Sequence, residues 1–172
     1  MASKAFVIAP ASSPKHLAVV SQLFQAYAES LGIDLSFQDF ATELAGLPGK
    51  YASPTGCLLL ARDGTSGIAL GCVALRPVAS SRVTGKCCEM KRLFVPPAGR
   101  GTGVGRALVE AVVREASALG YERVYLDTLA SMAAAQGLYR SLGFVDCEPY
   151  YNTPLGDTVF LRLTLRGDEG GL

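Results

Sequence analysis

The chain has 172 residues, of which 49% are hydrophobic and 18% charged. That length suits one domain and lets a chain bury roughly 70% of its unfolded surface without disulfide or metal staples. The composition excludes a disordered chain and a long coiled coil. Sixteen Lys and Arg face fifteen Asp and Glu, a net charge of +1, so the balance makes no case for a nucleic-acid partner.

In chain order, residues 5–9 (AFVIA) read as a first strand. Pro14 opens a helical pattern in which Leu17, Val20, Phe24, Tyr27 and Leu31 share one face, and Gly32 closes it. A second short helix uses Phe37, Phe40 and Leu44 and stops at Leu47-Pro48-Gly49. Strands follow at 57–62 and 69–78, joined by the turn-rich stretch DGTSG. A further strand covers about 86–95, KCCEMKRLFV, and the segment PPAGRGTGVG leads into a long helix over 103–119. VYLDT (124–128) is a strand, and 132–142 is a helix ended by Gly143. FVDC (144–147) and TVFLRLTL (158–165) are the last strands.

Strand–helix alternation in the second half implies some parallel pairing, and the hairpin-like middle adds antiparallel strands. The expectation is a mixed α/β single domain over residues 1–166, a twisted central sheet of about six to seven strands flanked by about four helices. Residues 167–172 read as a flexible tail.

No apolar run reaches the roughly 18 residues that span a bilayer. The stretch from Met1 to Pro10 has too short an apolar core for a secretory signal. A cytoplasmic protein without a membrane partner is therefore expected. The five cysteines, Cys57, Cys72, Cys87, Cys88 and Cys147, are odd in number and form no Cys-x-x-Cys pair. They suggest neither a disulfide framework nor a zinc site, and no metal is expected. His16, the single histidine, falls in a segment that reads as a helix start.

The most informative segment is Arg100-Gly101-Thr102-Gly103-Val104-Gly105-Arg106. It joins a strand to a helix start, where the first N–H groups have no intrahelical partner and the helix dipole is positive. Glycines there let an anion approach those amides, and Arg100 and Arg106 add charge. The dinucleotide fingerprint G-x-G-x-x-G fails, because Arg106 takes its last glycine position. A nucleoside triphosphate loop would need Gly-Lys-Ser/Thr, which is absent. The coenzyme A pyrophosphate loop, Gln/Arg-x-x-Gly-x-Gly/Ala, fits as Arg100-x-x-Gly103-x-Gly105. A glycine-rich turn without ligand is the bland alternative.

EMKRLFV precedes the loop, a long helix and VYLDT follow, and then comes Ala135-x-x-Leu138-Tyr139-Arg140-Ser141-Leu142-Gly143-Phe144. In this order and spacing, over about residues 86–146, the chain resembles the GNAT superfamily of acetyl-CoA-dependent N-acetyltransferases. The resemblance implies acetyl-CoA as co-substrate and direct acetyl transfer to a primary amine. It implies that Leu93, Phe94 and Val95 pair through their backbone with the pantetheine arm, and that Arg100 to Arg106 hold the pyrophosphate. Tyr139 would be the general acid near the thioester sulfur. Glu89 lies eleven residues before Arg100, the offset of a general base in the histone-acetylating branch. One position departs from the family. Met132 stands where the family often has an asparagine seven residues before the tyrosine, with Ser131 beside it.

The chemistry asks for a group that accepts the amine proton, donors for the developing oxyanion, and an acid for the leaving thiolate. A backbone N–H near Leu93 or Phe94 would serve the oxyanion. Tyr139 can donate to the sulfur; thiolate is the weaker base, so the transfer is most helpful as the sulfur departs, and the alternative is a tyrosine packed in the core. Glu89 can accept the proton directly or through water; the alternative is a carboxylate paired with Lys91 two residues on. Asp34, Asp39 and Asp127 could attract a cationic amine, and Tyr150, Tyr151 and Asn152 could line the acceptor mouth. The near-zero charge favours a small amine or amino-acid-like acceptor, with a peptide or protein amine as the runner-up. A non-catalytic acyl-CoA-binding regulatory module and a nucleotide-dependent oxidoreductase remain as competing readings. Nothing in the sequence separates a monomer from a homodimer.

Overall fold

A computed structural model describes residues 5–165. Residues 166–172, which hold the expected tail, lie outside the described residues. The first strand, β1 (Phe6–Pro10), leads to helix α1 (Pro14–Leu31). The Ser13 hydroxyl accepts from the His16 N–H at 3.2 Å, Pro14 fills the first turn, and Gly32 closes the helix with φ 62°. His16 is thus a first-turn residue of α1. A 3-10 turn at Ser36–Gln38 precedes a single helical turn and a half, α2 (Phe40–Ala45). Phe37 therefore sits on the turn rather than on α2, 37% exposed.

Strands β2 (Cys57–Asp63), β3 (Ala69–Pro77) and β4 (Cys87–Phe94) follow as an antiparallel run. Their nearly unbroken apolar stretches are explained by cover on both faces. Helix α3 (Val104–Ala118), strand β5 (Arg123–Leu129), helix α4 (Ala133–Ser141), β6 (Val145–Asp146) and β7 (Thr158–Thr164) complete the described chain. The seven strands form one sheet in the order β1-β2-β3-β4-β5-β7-β6, all neighbours antiparallel except β4 and β5. The mixed sheet and the four helices agree with the sequence reading. FVDC shrinks to two residues, because Val145 is 53% exposed at the sheet edge and nothing rewards a longer strand.

Two cores follow. On one face Leu108 and Val112 of α3 and Tyr139 of α4 pack on Val73, Leu75 and Leu126. On the other, Val20 and Phe24 of α1, with Leu44 of α2 and Tyr51, cover Leu58, Leu60 and Ala74. No helix among the described residues is long and apolar enough to cross a membrane.

Candidate active site

The site arises where β4 and β5 part. They pair only from Cys87 to Glu89 with Arg123 to Tyr125, so Met90 to Phe94 have no strand on that side. The parting is reinforced by a bulge. Cys72 faces Phe94 but Ala74 faces Lys91, so β4 carries one extra residue there. Arg92 absorbs it at φ 61°, a left-handed conformation rare outside glycine. Its side chain holds the bulge in place. The guanidinium binds both carboxylate oxygens of Glu43 on α2, at 2.9 and 3.2 Å, and lies over the rings of Phe40 and Tyr27.

The gap is a narrow hollow of about 50 Å³ between β4 and β5, bordered by Lys91, Leu93, Asp127, Met132 and Tyr139. The Tyr139 ring packs against Phe144 with centroids 5.9 Å apart, and its hydroxyl finds no hydrogen-bond partner among the described residues. Burial pushes that hydroxyl above its ordinary value of 10.0, so it stays protonated. Met132 borders the hollow and its thioether takes a weak bond from the Thr128 hydroxyl at 3.6 Å, while Ser131 is exposed.

At the far end of β4 the chain enters the loop before α3. Gly101 and Gly103 adopt φ 72° and 83°, and a side chain at either would project into open space. Gly103 caps α3 without a side-chain acceptor, and no acidic residue occupies the first turn. None of the N–H groups from Gly101 to Arg106 has a protein acceptor among the described residues. That array, with Arg100 and Arg106 exposed beside it, fits a diphosphate. Val104 offers only its amide, since its side chain is fully buried. At Gly105 a side chain would meet Val95 and Leu138 at 3.6 and 3.9 Å, so this glycine faces the protein and not the anion side. Arg106 also donates to the Ser141 hydroxyl at 2.8 Å.

A second cleft, about 470 Å³, opens on the other side of Lys91. Glu89 lines it with 7% exposure. The expected alternative partner, Lys91, is not the one it takes. Arg76, directly opposite on β3, donates to Glu89 at 2.7 Å, and the Tyr150 hydroxyl donates at 2.8 Å. Lys91 instead donates to Asp127 at 3.2 Å, and Tyr151 donates to the same carboxylate at 2.8 Å. Each of two consecutive tyrosines thus serves one of two carboxylates on diverging strands. Burial raises Asp127, but the Lys91 ammonium and the Tyr151 hydroxyl pull harder and hold it below its ordinary 3.8. Burial and the Glu89 charge push the Tyr150 hydroxyl well up.

Tyr150, Tyr151 and Asn152 line this cleft, and the Asn152 carbonyl oxygen accepts from Arg82 at 2.6 Å. Asp127 borders the narrow hollow instead. Asp34 borders neither; its carboxylate accepts from the Ser36 N–H at 2.9 Å. Asp39 accepts from the Thr42 hydroxyl at 2.9 Å and lines a neighbouring hollow. Sequence reasoning missed Gln38, Lys50 and Arg76. Arg76 ends an apolar strand, which is a usable signal, whereas Gln38 and Lys50 sit in short turns that carry none. No group of three or more His, Cys, Asp or Glu among the described residues could hold a metal.

The comparisons agree with this architecture. The Acetyltransferase (GNAT) family matches residues 20–144. An uncharacterized N-acetyltransferase of Schizosaccharomyces pombe is 42% identical over 152 residues, 88% of this chain and 90% of that one. The N-acetylaspartate synthetase of Danio rerio is 36% identical over 121 residues, 69% of this chain but 41% of the longer protein. Among solved structures, an acetyltransferase of the GNAT family from Staphylococcus aureus superposes with a TM-score of 0.74 at 18% identity, over 94% of this chain and 100% of that one. The chain belongs to the GNAT family of acetyltransferases. It is an acyltransferase.

Proposed function

We propose that this enzyme transfers the acetyl group of acetyl-CoA to a small, amino-acid-like primary amine that attacks directly in a ternary complex. The observation that carries this reading is the meeting of two cavities. The narrow hollow at Tyr139 and the wider cleft at Glu89 share Lys91 and Gln38 as common walls.

Acetyl-CoA supplies an activated acyl thioester when bound. The amides from Gly101 to Arg106, with Arg100 and Arg106, would hold its diphosphate. The unpaired β4 edge at Leu93 and Phe94, continuing to Val95, would receive the pantetheine arm as an added strand. Tyr139 keeps its proton at working pH and donates it to the departing sulfur. Glu89 accepts the amine proton. Arg76 and Tyr150 take one bond on each of its oxygens, and each oxygen keeps a second lone pair for the amine or a bridging water.

The test is release of free thiol from acetyl-CoA over a panel of small amines. Turnover by the wild type that falls in Tyr139→Phe is expected. No turnover with any amine, by protein that binds acetyl-CoA, would remove the reading.

A further inference from the structure

We infer that the acceptor carries its own carboxylate next to the reacting amine, and that Lys50 selects it. This rests on the acetyl-transfer reading above and narrows its substrate class. The first support is the charge inventory around the cleft. Glu89, Asp127 and Glu43 are taken by Arg76, Lys91 and Arg92, at 2.7, 3.2 and 2.9 Å. Lys50 lines the same cleft and has no ion pair or hydrogen bond among the described residues. Of the charged residues that line the cleft itself, Glu89 is the one carboxylate against three cations, Arg76, Lys91 and Lys50, while Asp39 shares the neighbouring hollow with Lys50. Lys50 is exposed at the rim of the cleft, where an unpaired cation attracts an anion and repels a second cation.

The backbone that presents Lys50 is fixed. Lys50 lies in the 3-10 turn Gly49–Tyr51, where the Tyr51 N–H donates to the Pro48 carbonyl at 2.9 Å. The Tyr51 ring, 2% exposed, meets Phe24 edge-on at 6.1 Å in the core. Only the lysine side chain is free to move.

The second support is Gln38. Its side-chain oxygen is buried and accepts no hydrogen bond, a costly state unless a ligand donates to it. Gln38 borders both the narrow hollow and the cleft, whereas Lys50 borders the cleft and the hollow that holds Asp39 but not the narrow one. An amine donating to Gln38 lies where the cavities meet, and a carboxylate held by Lys50 lies further out. An α-amino acid presents both groups at once. A diamine or a lysine side chain would instead set a second ammonium against Lys50.

The experiment compares phenylalanine, phenylalaninamide and phenethylamine, and likewise aspartate and its diamide, as acceptors with acetyl-CoA. Wild type is expected to prefer each free acid over its amide by about tenfold or more in kcat/KM, chiefly through KM. In Lys50→Gln that ratio falls towards one, while acetyl-CoA still raises Tm and so shows a folded protein. Lys50→Arg keeps the preference. Gln38→Leu lowers kcat/KM for acid and amide alike and leaves their ratio unchanged. Equal use of acids, amides and plain amines by wild type, or an undiminished preference in Lys50→Gln, overturns the inference and leaves acetyl transfer standing. Failure to acetylate any amine despite acetyl-CoA binding overturns both.

Discussion

The two halves of the site are made from different parts of the chain. On the proposed cofactor side the material is main chain, the amides of 101–106 and the unpaired edge of β4. On the proposed acceptor side it is side chain, the Glu89 carboxylate clasped by Arg76 and Tyr150, with Asp127 clasped by Lys91 and Tyr151 at the junction of the two cavities. A main-chain site tolerates many residues but not a changed backbone. A side-chain site keeps its backbone and changes its ligand with one substitution.

Substitutions on each side sharpen that contrast. The largest effect belongs to Tyr139→Phe, which removes the proposed proton donor and keeps the ring. Its kcat is expected to fall about a hundredfold or more, with little change in acetyl-CoA affinity by calorimetry. Next comes Asp127→Asn, which strands the Lys91 ammonium, whose side chain is 5% exposed. Losing one partner of a buried pair costs about 3 kcal/mol, read as a Tm lower by roughly 6–12 °C. The same carboxyl fixes an acid limb. Its value in the folded chain lies below the ordinary 3.8, so the stability it contributes is present above that pH and lost as pH falls through the folded value. Thermal melts from pH 6 to pH 2 should show this loss in wild type and a flatter profile in Asp127→Asn.

Gly103→Val probes the main-chain side. It forces a β-branched residue to φ 83° and costs about 1–2 kcal/mol locally. Acetyl-CoA binding should weaken about tenfold with the acceptor cleft untouched; unaltered affinity would break the contrast. The smallest effect belongs to Asp146→Ala. This carboxylate pairs with Arg140 at 2.6 Å, but both are exposed and border neither cavity, so Tm should not move measurably.

The same division explains what could be read in advance. The loop from Arg100 to Arg106 was legible as a glycine-rich turn into a helix because backbone demands are local: glycines at fixed offsets between a strand and a helix leave a trace in the chain itself. The strands and helices were legible from period and punctuation. Glu89 and Tyr150–Tyr151 could be suspected one at a time, but not as a unit. Glu89 meets Arg76 only through the β3–β4 register, and Tyr150 across 61 positions of chain. The Arg92 bulge leaves no mark, since nothing in KRLF announces a positive φ at an arginine. Gln38 and Lys50 belong to turns whose position against the sheet depends on the packing of α1 and Tyr51.

Arg92 ties the bulged edge of β4 to α2. Its main chain shapes the strand edge beside the narrow hollow, and its guanidinium grips Glu43 on the helix that walls the neighbouring cavity. A shift of α2 pulls on that guanidinium and reaches the bulge, and a change at the bulge is returned to α2. By thermodynamic reciprocity, whatever factor one ligand imposes on the other's affinity through this link, it receives back in equal measure.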